Sequence, residues 1–224
     1  MTMGTVKGLA LLLTVVTMLS CHPESKRGGK PLVKPRSPNR YLVLQTLGNG
    51  VNNTIVKMLP EVISKYYGFE VMVNSPKALL ERYKNMEKGL RYSADSILNF
   101  LNELKPDTVS IIAGLTEEDI FTTKRDEQGH IKQPESKYRI WGIFGLGELP
   151  GNSCVVSLRR LHTTDKKKFQ LRVMKVVLHE IGHNMGLPHC PNKKCFMADA
   201  VESINTVDNE SQELCDDCKR KIAH

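Results

Sequence analysis

Short apolar runs alternate with segments that carry apolar residues at helical spacing over the first half of the chain. Strands are predicted at the runs 41–47, 69–73 and 107–113. Helices are predicted over 53–67 and 93–104, and Pro60 should distort or interrupt the first of them. The run 107–113 is almost continuously apolar and should therefore be a central strand.

The second half begins with a polar, loop-like segment over 114–139. Strands are predicted at 141–144 and 154–158, followed by a long helix over 169–185. Beyond Gly186 the periodicity is lost. Strands that alternate with helices predict an α/β (α+β) fold, a layered domain with a small mixed sheet.

The N-terminus has the pattern of an export signal, which we assign to residues 1–20. Lys7 precedes an apolar stretch over 8–20, which is shorter than the roughly 20 residues that a membrane-spanning helix needs. The sequence Met-Leu-Ser before Cys21 resembles a bacterial lipobox, so we expect cleavage before Cys21 and lipidation of its thiol. An ordinary secreted protein, or an apolar anchor that is never cut, is the alternative.

Residues 21–40 are rich in Pro, Gly, Lys and Ser, which predicts a disordered linker between the lipid and a domain over 41–224. We therefore expect a membrane-anchored lipoprotein of the bacterial cell envelope that faces the periplasm or the exterior.

Composition limits the classes of partner. A chain of 224 residues with 40% hydrophobic content favours one domain, and we expect a monomer. The net charge of +8 lies partly in the linker and in the lysine run 166–168. Because no basic helix or aromatic RNA-binding pattern accompanies the charge, no nucleic-acid partner is expected.

The candidate chemistry begins at His179, with the sequence HEIGHNMGLPH. His179 and His183 are one helical turn apart on the same face, and a turn at Gly186 can return His189 as a third zinc ligand. Three histidines leave a coordination position open, as in catalytic sites. Glu180 can then act as general base on a zinc-activated water.

This pattern predicts a metallopeptidase that acts on peptide or protein substrates, with aminopeptidase and endopeptidase modes both open. The alternative is a lipid-anchored zinc-binding or peptide-binding module with little or no catalysis, although the presence of Glu180 favours the enzyme. A purely structural site would need a fourth protein ligand, for which Asp199 or Glu202 could approach.

The residues after the third histidine extend the pattern. The segment from His179 to Cys218 resembles the archaemetzincin signature HExxHxxGxxHCx4CxMx17CxxC at every fixed position. Residues 144–145, 155–158 and 160–161 also look like the family's segment before the active-site helix. The resemblance implies a metzincin-like fold with a backing helix, an active-site helix and a zinc-stapled C-terminal segment, and it identifies Met197 as the Met-turn residue below the metal.

The resemblance also implies a second, structural zinc ion, which gives two ions per chain. Its ligands would be four cysteines: Cys190, Cys195, Cys215 and Cys218. Two disulfides are the alternative, because an exported chain meets an oxidising compartment. Cys154 has no partner in this count and is expected to be a buried free thiol. The strand 154–158 would be the edge strand along which a peptide substrate aligns.

Overall fold

The computed structural model describes Met1, residues 40–199 and residues 203–222. The predicted signal, Cys21 and the linker up to residue 39 lie outside these residues, as does Glu202. The strands are β1 Tyr41–Leu47, β2 Glu70–Lys77, β3 Lys84–Asn85, β4 Arg91–Ser93, β5 Ile111–Thr116, β6 Ile120–Thr122, β7 Trp141–Ile143, β8 Gly145–Gly147 and β9 Ser153–Ser157. The helices are α1 Asn53–Tyr67, α2 Ala94–Leu104, α3 Glu135–Tyr138, α4 Lys166–Asn184, α5 Ile204–Asn209 and α6 Asp216–Ile222.

The larger sheet has the strand order β2-β1-β5-β9-β8. Its first four strands are parallel, whereas β8 runs antiparallel to β9 at one edge. A smaller sheet has the order β3-β4-β6-β7. The predicted α/β architecture with a small mixed sheet is confirmed, and β5 is its central strand.

Both faces of the larger sheet are covered. Side chains alternate along a strand, so Leu42 and Leu44 of β1 pack with α1 and α4, while Val43 packs with α2 on the opposite face. The domain is therefore layered, with α4 held against one face of the sheet and the β8 edge nearby.

The local structure differs from the sequence-based expectation at two places. Helix α1 is not interrupted at Pro60 but continues through it, from the Asn52 side-chain cap to Gly68, whose φ of 69° ends the helix. The predicted loop 114–139 contains the short helix α3 and the strand β6, which pairs with β4 and β7 in the smaller sheet.

Helix α4 begins three residues earlier than predicted. The Asp165 side chain accepts hydrogen bonds from the backbone N–H groups of Lys167 and Lys168 and caps the helix. Most of the second half of α4 is buried, because the helix lies between the sheet and the C-terminal segment. This placement fixes the orientation of the histidines that follow.

Candidate metal centres and catalytic site

Helix α4 and the turn after it bring the three predicted histidine ligands together. His179 and His183 project from one face of the helix, with ring centroids 4.6 Å apart. Gly186 adopts a φ of 90°, and the chain turns so that the His189 ring lies 4.8 Å from that of His183 and 5.3 Å from that of His179. The candidate ligand nitrogens of the three rings lie within 4.8 Å of one another.

Backbone carbonyl groups orient two of these rings. Nδ1 of His179 donates to the carbonyl oxygen of Phe196 at 2.7 Å, and Nδ1 of His183 donates to that of Leu187, also at 2.7 Å. Because a carbonyl can only accept, each Nδ1 carries the hydrogen, and each Nε2 keeps its lone pair for a metal. Burial lowers the pKa of His179 to about 3 and that of His183 to about 4, so both rings are neutral at physiological pH, as metal ligation requires.

The Glu180 carboxylate is buried beside the histidines. Burial raises its pKa to about 8, and a hydrogen bond with the backbone of Gly147 offsets part of this effect. Two glycines of β8 provide the space for its side chain. A Cβ atom at Gly145 would lie 2.6 Å from Oε1 of Glu180, and one at Gly147 would lie 3.2 Å from Oε2. Strand β8 therefore fixes where Glu180 points.

Met197 is fully buried under the histidine-bearing part of α4. A Cβ atom on Gly182 would lie 2.5 Å from its sulfur, so the thioether packs directly against the helix backbone between the two histidines. The Met197 carbonyl accepts a hydrogen bond from the backbone N–H of Cys190 at 2.7 Å, which closes the loop that carries His189. These contacts are those of an apolar floor.

The four predicted cysteine ligands converge at a second point. Their sulfur atoms lie within 4.8 Å of one another, and those of Cys190 and Cys215 are 3.7 Å apart. A tetrahedral site with Zn–S bonds of about 2.3 Å has sulfur atoms about 3.8 Å apart, so this donor set fits zinc. The backbone N–H groups of Met197 and Cys215 also donate to the sulfur of Cys195.

The cysteines of the described segments are free thiols, so the alternative with two disulfides does not match this arrangement. Cys154 lies apart from the cluster, buried in β9, and burial raises the pKa of its thiol well above the ordinary value. The prediction of a buried free thiol is confirmed there.

A cleft of about 490 Å³ opens over the histidines. Its lining comes from β8, from α4, from α5 and the residue after it, and from the polar segment after β6. The prediction that 154–158 forms the edge strand was wrong. That segment is β9, which pairs with β8 on its outer side. Strand β8 is therefore the edge strand of the larger sheet, and its residues line the cleft.

Asp199, which the sequence offered as a possible fourth ligand, lies beside the site. Its Oδ2 atom is 3.7 Å from Nδ1 of His189 and is outside the cluster of three histidine donors. A further histidine, His162, forms a 2.7 Å contact with Glu117, stacks on Phe169 and is not part of the cleft lining.

Several residues that shape the site were not found from the sequence. They are Gly145, Gly147, Lys175 and Glu210, which line the cleft, and the Arg172–Asp208 ion pair behind it. The glycines could have been suspected from the spacing Gly-Leu-Gly before a strand, but their contact with Glu180 depends on the tertiary fold.

Comparison with known proteins agrees with the resemblance seen in the sequence. The model of Peptidase family M54 matches residues 52–224. An archaemetzincin of Methanopyrus kandleri is 31% identical over 166 residues, which cover 74% of this chain and 85% of that protein. An archaemetzincin of Archaeoglobus fulgidus is 29% identical over 174 residues, with 78% of this chain and 94% of that protein covered.

The fold is similar to a solved structure as well. The crystal structure of the Methanopyrus kandleri archaemetzincin superposes with a TM-score of 0.66 at 30% identity, covering 85% of this chain and 97% of that chain. The likeness extends over nearly the whole length of that protein.

Proposed function

This chain belongs to peptidase family M54 and is a zinc-dependent metallopeptidase, and we propose that Glu180 is its general base beside a zinc ion held by His179, His183 and His189. The observation that carries the proposal is the convergence of three imidazoles, two of them neutral and oriented by backbone carbonyl groups, next to one buried carboxylate.

Each group would have a defined task. Zinc, when bound, lowers the pKa of a coordinated water and polarises the substrate carbonyl. Glu180 would accept the proton of the attacking water and transfer it to the leaving amine. Burial favours the neutral form of this carboxyl, and a cation beside it would favour the charged form that a base needs. The free edge of β8 would hold an extended peptide by backbone pairing.

We also propose a second zinc ion, bound by Cys190, Cys195, Cys215 and Cys218. It would be structural, because four thiolates close a tetrahedral site. Such an ion would fasten α6 to the loop after α4, which carries both His189 and Met197. The C-terminal segment would then depend on this metal for its position.

For the N-terminus we propose export and lipidation at Cys21, with a linker to residue 40 that holds a monomeric domain at the bacterial cell envelope. The support is the sequence pattern alone. Among the described residues, none of the helices is sufficiently long and apolar to cross a bilayer. Metabolic labelling with a radioactive fatty acid tests this: the label should appear in the wild type and be lost in Cys21→Ser, whose mass should remain that of the uncleaved precursor. A wild type without label would contradict the lipidation.

Metal content per chain tests the two sites separately. We expect two zinc ions in the wild type, one in His183→Ala and at most one in Cys215→Ala, with Cys154→Ala as the control that keeps two. A wild type that holds a single ion, retained in His183→Ala and lost in Cys215→Ala, would contradict the histidine site.

Turnover tests the role of Glu180. Replacement by Gln should lower kcat by about 10²–10⁴-fold while both zinc ions remain, since general bases typically contribute this much. Unchanged turnover would assign the base elsewhere. A zinc-loaded wild type that binds peptides and cleaves none would instead favour the alternative of an anchored binding module.

A further inference from the structure

The part of the cleft beyond His179 is bounded by two elements. Helix α4 contributes Lys175 and Val176, one turn before His179, and the opposite side is formed by Val207 of α5 and by Glu210, which follows that helix. Residues one turn apart on a helix have Cβ atoms about 6 Å apart. A side chain next to the scissile bond could therefore reach this region.

Glu210 is buried here with an incomplete set of hydrogen bonds. Only 7% of its surface is exposed, yet it lines the cleft. Its Oε1 atom is fully shielded and has no hydrogen-bond partner among the described residues. Buried polar atoms in native proteins are nearly always paired, so an exception that lines a binding cleft indicates an acceptor for an incoming donor.

The neighbouring Lys175 does not meet this need. Its ammonium donates to the backbone carbonyl groups of Val207 at 2.6 Å and Glu210 at 2.5 Å, with that of Asp208 at 3.5 Å. The three N–H groups are thus directed at the backbone, where they fasten the end of α5 to α4. Oε1 of Glu210 is therefore left without a hydrogen bond among the described residues, and a small rotation of the side chain would turn it toward the cleft.

The electrostatic balance still favours a cation as the guest. Burial raises the pKa of Glu210 to about 7, and the charge of Lys175 opposes that rise. A substrate ammonium or guanidinium in hydrogen-bond contact with the Glu210 carboxylate is attracted by it at short range. The repulsion from the Lys175 ammonium, which faces backbone carbonyl groups, acts over a longer distance and is weaker, because Coulomb energy falls with distance. A charge-assisted bond would also satisfy Oε1.

We propose that Glu210 forms the end of the pocket that receives a substrate side chain flanking the scissile bond, and that it selects lysine or arginine there. The proposal rests on the peptidase function proposed above. The cleft lining also includes Lys124, Arg125 and Lys132, which would favour acidic substrates instead. Selection by Glu210 predicts a preference for lysine or arginine, whereas selection by the three basic residues predicts a preference for acidic side chains.

Cleavage of fluorogenic peptides tests the selection. Each position flanking the bond is varied between Lys, Arg, norleucine, Gln and Glu, and kcat/KM is measured for the zinc-loaded wild type, Glu210→Gln and Glu61→Gln. Glu61→Gln removes the same charge from an exposed position on α1. At one position, kcat/KM of the wild type should be tenfold or more higher for Lys or Arg than for norleucine. In Glu210→Gln this preference should disappear, while kcat/KM for the norleucine substrates changes by less than about threefold. Glu61→Gln should behave as the wild type.

A binding measurement separates this proposal from peptidase activity itself. Calorimetric titration of zinc-loaded Glu180→Gln with a lysine peptide and its norleucine counterpart should show tighter binding of the lysine peptide, and adding Glu210→Gln should equalise the two. Failure of the wild type to cleave any peptide would overturn the proposed function without affecting this result. A preference for Glu at every position, or a lysine preference that survives Glu210→Gln in both measurements, would overturn the role of Glu210.

Discussion

Gly145 of β8 lies directly against the carboxylate of Glu180, close enough that a Cβ atom at position 145 would come within 2.6 Å of Oε1 and 2.7 Å of Cγ. Real Cβ atoms do not approach other heavy atoms so closely. The strand that we propose as the substrate-binding edge thus also determines the position of the proposed base.

Replacement of Gly145 by Ala should therefore displace the Glu180 side chain. We expect kcat to fall on the order of 10²-fold, because a misplacement of about 1 Å in a catalytic group can cost this much. Zinc content should stay at the wild-type level, since the three atoms nearest the added methyl group all belong to Glu180 and none to a histidine. Steady-state kinetics together with metal analysis checks this, and an unchanged kcat would show that Glu180 is not held by β8.

A second close contact, between Gly182 and Met197, predicts that a glycine-to-alanine substitution inside a helix lowers the stability of the protein, although such a substitution usually raises it. Glycine in a helix interior costs about 0.5–1 kcal/mol relative to alanine, so Gly182→Ala would ordinarily stabilise the protein. Here the added Cβ would lie 2.5 Å from the Met197 sulfur. We expect a loss of about 1–3 kcal/mol in the free energy of unfolding, as overpacked cores show.

Denaturant unfolding of the zinc-loaded proteins measures this loss. In the double variant Gly182→Ala/Met197→Ala the cost should be smaller than the sum of the two single costs, because truncation of Met197 removes the collision. Additive costs, or a more stable Gly182→Ala, would contradict the contact.

The local parts of the site were predictable from the sequence. The spacing of His179 and His183 places them on one face of any helix, and Gly186 predicts the turn that brings His189 back to them. The cysteine spacing carried the family resemblance, which named the second site. These inferences concern residues that are close in sequence, whose relative positions are determined by local backbone geometry.

The parts that depend on strand order were not predictable. The run 153–157 reads as a strand wherever it lies in a sheet, and only the tertiary fold shows that the Gly-Leu-Gly strand β8 covers it and becomes the edge. Two glycines in three residues give β8 a poor intrinsic preference for a strand. In the same way, nothing local links Glu210 to Lys175, which are separated by 35 residues.

The number of reactive thiols distinguishes zinc from disulfides at the C-terminal cysteines. A chain that begins at His22 lacks Cys21 and keeps five of the six cysteines. We expect alkylation with iodoacetamide, in denaturant with chelator and without reductant, to add five groups to protein isolated aerobically. Intact-mass spectrometry counts them, with a fully reduced sample as the control. Addition of a single group would mean two disulfides, with Cys154 as the remaining thiol.

Arg172 of α4 and Asp208 of α5 form a bidentate ion pair behind the cleft, with both N–O distances at 2.7 Å, and Lys168 lies 2.9 Å from the same carboxylate. The hydrogen bonds from Arg172 lower the pKa of Asp208 to about 2. A carboxyl whose pKa is lower in the folded state than in the unfolded state stabilises the fold above the unfolded value, near 4, and loses this contribution as the pH falls through the folded value.

Asp208→Asn should therefore reduce the free energy of unfolding by on the order of 1–2 kcal/mol at pH 7. The deficit should be the same at pH 7 and pH 5 and should narrow only below about pH 4, where the wild type begins to lose the same contribution. Urea unfolding of both proteins in the same metal-loading state measures it, with the exposed Asp107→Asn as a control that we expect to stay within about 0.5 kcal/mol of the wild type. A deficit that is near zero at pH 7, or one that does not narrow between pH 4 and pH 2, would show that Asp208 keeps its ordinary pKa in the folded state and that the ion pair does not fasten α5 to α4.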